Sequence, residues 1–248
     1  MGLFRRLFIP DSHFNEVDKR AFELMLDIAA EFKPHEVVYL GDFFDLSSMS
    51  AHEKDVYSDV QYLKDELEEG RNAIRRVEKH SKAKSFVFLE GNHEYRLRRF
   101  ISNKAPQLAG ILSAKDLFGI PDNYKYLEFG QTGHYRMGSL VATHGTLCGQ
   151  FPASAHLKKY NHSVIHGHTH CLQSIHATGY DGKELVGISA GWLGNAKKAA
   201  QYIKDIPNWQ LGFVLTQHDS SGRFWYQIIH IKPGKTYEAL YGEKVFQR

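Results

Sequence analysis

Four histidines lie within nine positions of the segment HSVIHGHTHC, residues 162–171. The chain has 15 histidines, so chance clustering is one explanation. A chemical explanation is that His168 and His170, at alternate positions after Gly167, bind a metal ion. A metal centre needs more ligands than two, so carboxylate, amide or imidazole groups from other parts of the chain must lie beside these histidines.

Metal-competent side chains also follow four other β-rich runs. RLFI precedes Asp11 and His13, EVVYL precedes Asp42 and Asp45, SFVFL precedes Asn92 and His93, and LVAT precedes His144. In an open α/β sheet, ligands bind outside the carboxyl ends of the strands. We therefore expect all five segments to deliver their polar side chains to one edge. Carboxylates and imidazoles without thiolates suit zinc, manganese, iron or nickel.

The elements that position these side chains alternate in the first half of the chain. Residues 16–32 have helical spacing of apolar side chains, and residues 53–80 are charged and helix-prone. Strands joined through helices pair in parallel by right-handed crossovers. From Tyr124 onward strands follow strands, which indicates antiparallel additions. The predicted fold is an α/β structure, an αββα sandwich of two central mixed sheets flanked by helices, with residues 1–248 forming a single domain.

Composition limits the classes of protein that fit. The 248 residues are 42% hydrophobic and 24% charged, with a net charge of +3, so the chain has no strong excess of either charge. Two cysteines are too few for a disulfide framework and form no Cys-x-x-Cys motif. We find no signal peptide and no apolar stretch long enough for a membrane span. The sequence therefore predicts a cytoplasmic protein without membrane contact, and it does not indicate the oligomeric state.

Taken together, the motifs DSH, GDFFD, GNHE, THG and GHTH resemble those of the calcineurin-like metallophosphoesterase superfamily, in particular its small stand-alone bacterial and phage members. They occur in the expected order between residues 11 and 170, and no motif maps to residues 172–248. The resemblance implies two divalent metal ions, with manganese expected and iron, zinc or nickel as alternatives. The implied ligands are Asp11, His13 and His170 for one ion, Asn92, His144 and His168 for the other, and Asp42 as a bridge.

The resemblance also implies a reaction. Two cations about 3.5–4 Å apart stabilise the attacking and non-bridging oxygens of a phosphoryl group, and a hydroxide that bridges them attacks phosphorus. His93 stands beside the metals as the general acid that protonates the leaving oxygen, and Asp45 orients it. The implied enzyme is a metal-dependent phosphoesterase, a hydrolase of ester bonds.

The substrate is less constrained. Phosphoprotein phosphatases of the superfamily have Arg-Gly where this chain has Leu46 and Ser47, whereas nucleases and many phosphodiesterases have GNHD where Glu94 stands here. We favour a phosphodiester of a nucleotide or nucleic acid. A phosphomonoesterase or phosphoprotein phosphatase is the alternative, and a metal-bearing scaffold or binding protein is the alternative outside enzymes.

Three further features of the sequence bear on substrate binding. Arg96 and Arg99 share one face of the helix predicted after Glu94 and could clamp a phosphate, although a solvated basic face is the simpler interpretation. Trp192 and Trp209 are expected in the core rather than on a substrate platform. GWLGN, residues 191–195, follows a strand and could lie on the rim of the site.

Overall fold

Parallel strands joined through helices form one half of the larger sheet. The computed structural model describes residues 2–49, 59–199 and 207–248. The strands of the larger sheet, in chain order, are β1 (Phe4–Ile9), β2 (Glu36–Tyr39), β3 (Ser85–Leu89), β4 (Lys125–Leu127), β10 (Gly212–His218), β11 (Phe224–Lys232), β12 (Glu238–Tyr241) and β13 (Lys244–Gln247). Their spatial order is β13-β12-β11-β10-β1-β2-β3-β4, with β1 to β4 parallel and the others antiparallel.

The second sheet is smaller and also mixed. Its strands are β5 (His134–Met137), β6 (Leu140–Thr143), β7 (Ser163–His166), β8 (Leu172–Thr178) and β9 (Glu184–Ala190). They lie in the order β5-β6-β7-β9-β8, in which β6, β7 and β9 are parallel and the two edge strands are antiparallel to their neighbours.

Alternating side chains of the strands separate two hydrophobic layers. Phe8 and Val38 of the larger sheet pack with Ile165 and Ile188 of the smaller one, which fills the space between the sheets. The sequence neighbours of Phe8 and Val38 point to the opposite face of the larger sheet, where they form a second cluster with the helices. The predicted αββα sandwich with two mixed central sheets is confirmed.

The helices cover the outer faces. They are α1 (Lys19–Phe32), α2 (Asp59–Ser81), α3 (Tyr95–Lys104), α4 (Ala114–Phe118), α5 (Pro152–Tyr160) and α6 (Ala196–Ala199). Helix α1 begins later than its predicted first residue because the carboxylate of Asp18 caps it, accepting hydrogen bonds from the backbone N–H groups of Arg20 and Ala21. Residues 53–58 of the second predicted helix lie outside the described residues.

Helix α5 was not predicted, because strand patterns dominate the sequence around it. Pro152 at its start and Asn161 in the left-handed conformation at its end are the local signals that mark it. No helix among the described residues is long and apolar enough to cross a membrane.

Candidate metal centre

The polar loops that follow five strands meet at one edge of the sandwich. Three of these loops follow the neighbouring parallel strands β1, β2 and β3 of the larger sheet, and two follow β6 and β7 of the smaller sheet. Because the sheets are stacked, side chains from both reach the same point. Ser12 and His13 donate their backbone N–H groups to the carbonyl oxygen of Asp42 (both 3.0 Å), which joins the first two loops.

A first group of candidate ligands consists of Asp11, His13 and His170. The Nε2 atom of His170 lies 3.1 Å from Oδ2 of Asp11 and 3.1 Å from Nε2 of His13. The three ligand atoms therefore converge on one point, although two of the residues are separated from the third by most of the chain. Asp11 is fully buried, whereas the side chain of His170 remains 12% exposed.

A second group consists of Asp42, His144 and His168. Nε2 of His144 lies 3.3 Å from Oδ2 of Asp42 and 2.9 Å from Oδ1 of Asn92. The side chain of Asn92, predicted from sequence as a ligand, therefore reaches the same histidine. Asp42 belongs to this group and not to the first in the structure, so its role as a bridge between two ions remains a prediction.

The donor atoms fit divalent cations. Nδ1 of His144 donates to the carbonyl oxygen of Leu40 (2.8 Å), and Nδ1 of His13 donates to Oδ1 of Asp45 (2.9 Å). These bonds direct the Nε2 atoms of both rings into the clusters, where loss of the Nε2 proton would make each a metal ligand, which is the usual arrangement of a metal-binding histidine and its outer partner. The two His/Asp clusters could therefore each hold a metal ion.

Asp45 and His93 form a third cluster with His13. Nδ1 of His93 lies 2.9 Å from Oδ1 of Asp45 and 2.8 Å from its carbonyl oxygen. Both of these atoms are acceptors, so Nδ1 carries the hydrogen. The backbone N–H of His93 donates to Oδ1 of Asp42 (2.8 Å), which fixes the ring beside the second group of ligands.

The backbone is strained where the ligands sit. Four candidate ligands adopt left-handed φ values: His13 (45°), Asp42 (49°), His168 (66°) and His170 (59°). Non-glycine residues in this conformation are uncommon, and they concentrate at functional sites, where the surrounding structure holds them. Four such positions among the candidate ligands show that the loops turn sharply where these side chains converge.

Two glycines let the loops approach closely. A Cβ atom on Gly167 would lie 2.3 Å from Oδ1 of Asp11, and a Cβ on Gly91 would lie 2.1 Å from Oδ1 of Asp42. Any side chain at either position would displace a candidate ligand.

The charges of the site stabilise one another. Burial raises the pKa of Asp11, but the hydrogen bond and positive charge of His170 outweigh it and lower that pKa below its usual value. Burial likewise opposes the charge of His13, but Asp45 and the other carboxylates raise its pKa to about 9. His144, beside Asp42, has a pKa raised to about 9 for the same reasons. Burial, with the charge of His144, lowers the pKa of His168 to about 4.

Two buried glutamates hold the loops, and sequence reasoning missed both of these roles. The carboxylate of Glu94 accepts the backbone N–H groups of Asp42 (2.9 Å), Phe44 (2.8 Å) and Gly91 (2.8 Å). The carboxylate of Glu66 accepts the N–H of Leu46 at 2.7 Å. Only the position of Glu94 inside GNHE marked it in the sequence, and no local pattern marked Glu66.

The two arginines expected at the site differ in position. Arg96 reaches the third cluster, where Nη1 donates to the carbonyl oxygen of Asp45 (2.7 Å) and Nη2 lies 3.1 Å from Nε2 of His93. Arg99 is exposed. A role in substrate binding stays a prediction for both.

The expectation that Trp209 is a core residue is wrong. Its ring is only partly buried, contacts the His170 ring at a centroid distance of 4.5 Å and lines a cavity. Trp192 is a core residue as expected, 2% exposed, and its ring stacks on that of His170. Segment 191–195 does lie at the site, since Leu193 donates its N–H to the carbonyl oxygen of Asp11 (2.8 Å). The order of the chain could not reveal these contacts, because they join separate strands.

Cys148 is a further residue at the site that sequence reasoning did not place there. Its thiol is exposed, and its Sγ lies 3.3 Å from Nε2 of His168.

Comparisons with known proteins add little to this description. No protein-family model matches the sequence, and no curated protein matches it either. Among solved structures, the chain is similar to Vps29 from Chaetomium thermophilum, with 10% identity and a TM-score of 0.48, covering 100% of this chain and 97% of that one. It is also similar to a mutant Vps29 from Entamoeba histolytica, with 13% identity and a TM-score of 0.45, covering 98% of this chain and 97% of that one. A third similar structure is Vacuolar Protein Sorting 29 from Cryptosporidium parvum, with 13% identity and a TM-score of 0.43, covering 100% of this chain and 97% of that one. We base no conclusion on similarities this weak.

Proposed function

We propose that this chain is a metal-dependent phosphoesterase of the calcineurin-like superfamily that hydrolyses phosphate esters with two divalent metal ions. The observation that carries the proposal is the meeting of two His/Asp clusters with His93 at one edge of the sandwich. Seven side chains would hold the ions: Asp11, His13, Asp42, Asn92, His144, His168 and His170. Manganese is the proposed metal, since the carboxylate and amide oxygens among these ligands suit it, and zinc, iron or nickel, which suit the imidazoles, are the alternatives.

Bound ions would supply positive charge for the phosphoryl oxygens and acidity for the attacking water. The remaining steps fall to side chains of the chain itself. His93 acts in the form protonated at both ring nitrogens. Nδ1 donates to the carbonyl oxygen of Asp45, and Nε2, which accepts from Arg96 when it is unprotonated, carries the proton that passes to the departing oxygen. Arg96, beside that nitrogen, meets the negative charge of the phosphoryl group.

The proposed substrate is a phosphodiester of a nucleotide or nucleic acid. A cavity of about 840 Å³ adjoins the site through Trp209, which supports an ester with a large substituent beyond the phosphoryl group. A phosphomonoesterase or phosphoprotein phosphatase remains the alternative.

The test is hydrolysis by metal-free protein reloaded with manganese, nickel or zinc. Its substrates are bis-p-nitrophenyl phosphate, p-nitrophenyl phosphate, single-stranded DNA, RNA and a phosphopeptide. We expect turnover of the diester and of a nucleic acid, and a large loss of turnover in His93→Ala with metal content unchanged. His176→Ala is the matched control, since that histidine is exposed and contacts Glu184 and Tyr226 instead. Preference for the monoester or phosphopeptide would favour the phosphatase, and no turnover with any metal would favour the scaffold.

A further inference from the structure

The cavity of about 840 Å³ lies beside His170 and is joined to it by Trp209. The backbone fixes this position, because Gln210 donates its N–H to the carbonyl oxygen of His170 (2.9 Å). Trp192 also donates its backbone N–H to the carbonyl oxygen of Gln210. A molecule in the cavity would therefore lie one side chain away from a candidate metal ligand.

Trp209 is supported from behind. The ring of Trp192 stacks on His170 at 4.9 Å and 9°, and lies 4.6 Å from the ring of Trp209 at 60°. Trp192 is fully packed, whereas Trp209 is partly exposed where it lines the cavity. An indole ring that is held on one side and open on the other is a platform for a flat ligand, and nucleic-acid bases stack on such rings.

The described lining of the cavity is cationic. The positively charged side chains are Lys19, Arg20, Lys197 and Lys198. All four residues are exposed, and Lys19 forms an ion pair with Glu69 outside the lining (3.6 Å), so Arg20, Lys197 and Lys198 supply the net charge. The one carboxylate in the lining, that of Asp18, is engaged, since it caps helix α1 and accepts a hydrogen bond from the hydroxyl of Tyr237 (2.8 Å). The cavity therefore presents positive charge to its ligand, which favours a polyanion.

We infer that this cavity binds single-stranded nucleic acid, with one base stacked on Trp209 and the following phosphates bound by Lys197 and Lys198. A duplex hides the faces of its bases, so the indole platform favours an unpaired strand. The strand would then present a phosphodiester to the metal centre beyond His170. The inference rests on the proposed function, because it names the substrate of that same centre.

Binding can be tested without turnover. A short fluorescein-labelled oligothymidylate is titrated with manganese-loaded His93→Ala protein, and fluorescence anisotropy gives the dissociation constant. In this background, Trp209→Ala is expected to weaken binding by roughly 5- to 140-fold, the range measured for loss of one stacked base. Trp209→Phe keeps an aromatic face and is expected to retain most of the affinity. Trp225→Ala, on β11 and 55% exposed, removes an equally large ring from another surface and is expected to have no effect.

The lysines are tested by salt dependence. Each phosphate contact with a single strand contributes about −0.7 to the slope of log affinity against log salt. The double variant Lys197→Gln/Lys198→Gln is therefore expected to make the slope shallower by about 1.4. Both lysine side chains are exposed, so replacing them should leave the fold intact. The double variant therefore tests the proposal even if Trp209→Ala lowers the melting temperature.

These outcomes are independent of the hydrolysis assay. Loss of binding in Trp209→Ala and in the double lysine variant, but not in Trp225→Ala, supports nucleic-acid binding in this cavity whether or not the protein cleaves a diester. No binding of the oligonucleotide, equal affinities in the two tryptophan-to-alanine variants, or tighter binding of a phosphopeptide overturns it.

Discussion

Oδ1 of Asp45 lies 2.9 Å from Nδ1 of His13, the same distance that separates it from Nδ1 of the proposed general acid. One carboxylate oxygen therefore orients both a candidate metal ligand and the residue proposed to protonate the leaving group. The sequence predicts only the second of these contacts.

Asp45→Asn should impair two properties together. The amide keeps the shape of the side chain but removes the charge that holds His13, so we expect metal affinity to fall by about 10- to 100-fold, as for other outer partners of ligands. Turnover at saturating metal should also fall, because His93 keeps neutral oxygen acceptors at Nδ1 but loses the negative charge that stabilises its protonated form. Metal titration calorimetry and diester hydrolysis measure the two effects, with Glu184→Gln, which faces the exposed His176, as the control. Unchanged metal affinity would contradict the role of Asp45 at His13.

Gly167→Ala should damage the first cluster. Its Cβ would lie 2.3 Å from Oδ1 of Asp11, so that carboxylate must move. We expect a loss of about 1–3 kcal/mol in the free energy of unfolding, typical of overpacking, together with weaker metal binding. Gly2→Ala is the control, because nothing lies within 4 Å of its Cβ. Thermal denaturation and metal analysis would detect both effects, and normal metal binding in Gly167→Ala would count against Asp11 as a ligand.

Metal binding should release protons. The pKa of His13 is raised to about 9 in the metal-free protein, so this ring is charged at neutral pH and must lose its proton to bind an ion. Apparent metal affinity should therefore rise with pH up to about 9. Calorimetry in buffers of different ionisation enthalpy measures the released protons. A binding heat that is the same in every buffer would contradict this prediction.

The same shift makes the stability of the metal-free protein depend on pH. The pKa of His13 in the folded protein lies above the ordinary value of 6.5. The contribution of His13 to the free energy of unfolding is therefore fully present below pH 6.5 and is lost as the pH rises through about 9. His144 has a pKa raised in the same direction and should add to the effect. Urea unfolding of metal-free protein across this range should show a falling free energy of unfolding. An increase would contradict the prediction.

Glu94→Gln should loosen the second and third loops together. The carboxylate accepts three buried backbone N–H groups, and an amide can satisfy fewer of them. Since each unsatisfied buried donor costs about 1–3 kcal/mol, we expect a clear fall in melting temperature together with weaker metal binding. Glu128→Gln, whose side chain is 62% exposed, is the control. Equal melting temperatures of the two variants would show that Glu94 does not hold the loops.

Arg96 and Arg99 form a matched pair on helix α3. Arg96 contacts His93, whereas Arg99 is exposed. Loss of one charge-assisted hydrogen bond to a phosphoryl oxygen costs about 1.5–3 kcal/mol, so Arg96→Ala should lower kcat/KM by roughly 10- to 150-fold. Arg99→Ala should change it little. Steady-state kinetics on bis-p-nitrophenyl phosphate compares them, and equal losses would assign both arginines to substrate binding.

The sequence by itself determined the strands and the chemistry at their ends. β-rich runs such as those before Asp11, Asp42 and Asn92 are local patterns, and the carboxyl ends of parallel neighbours must meet at one edge. The candidate ligands and the layered fold could therefore be predicted. A local pattern also marks the ends of α5, but the strands around it concealed that signal.

Only the tertiary structure decided what surrounds these ligands. Trp209 lies against His170 because residues 209–211 run beside residues 170 and 192, a contact between segments that no periodicity encodes. The three N–H groups that Glu94 accepts come from two loops whose separation depends on how β2 and β3 pair. The left-handed φ values at four candidate ligands likewise depend on packing around the loops, since His and Asp tolerate this conformation but do not by themselves select it. Side-chain identity sets which chemistry is available, but the distances that make it usable arise from contacts between residues far apart in the chain.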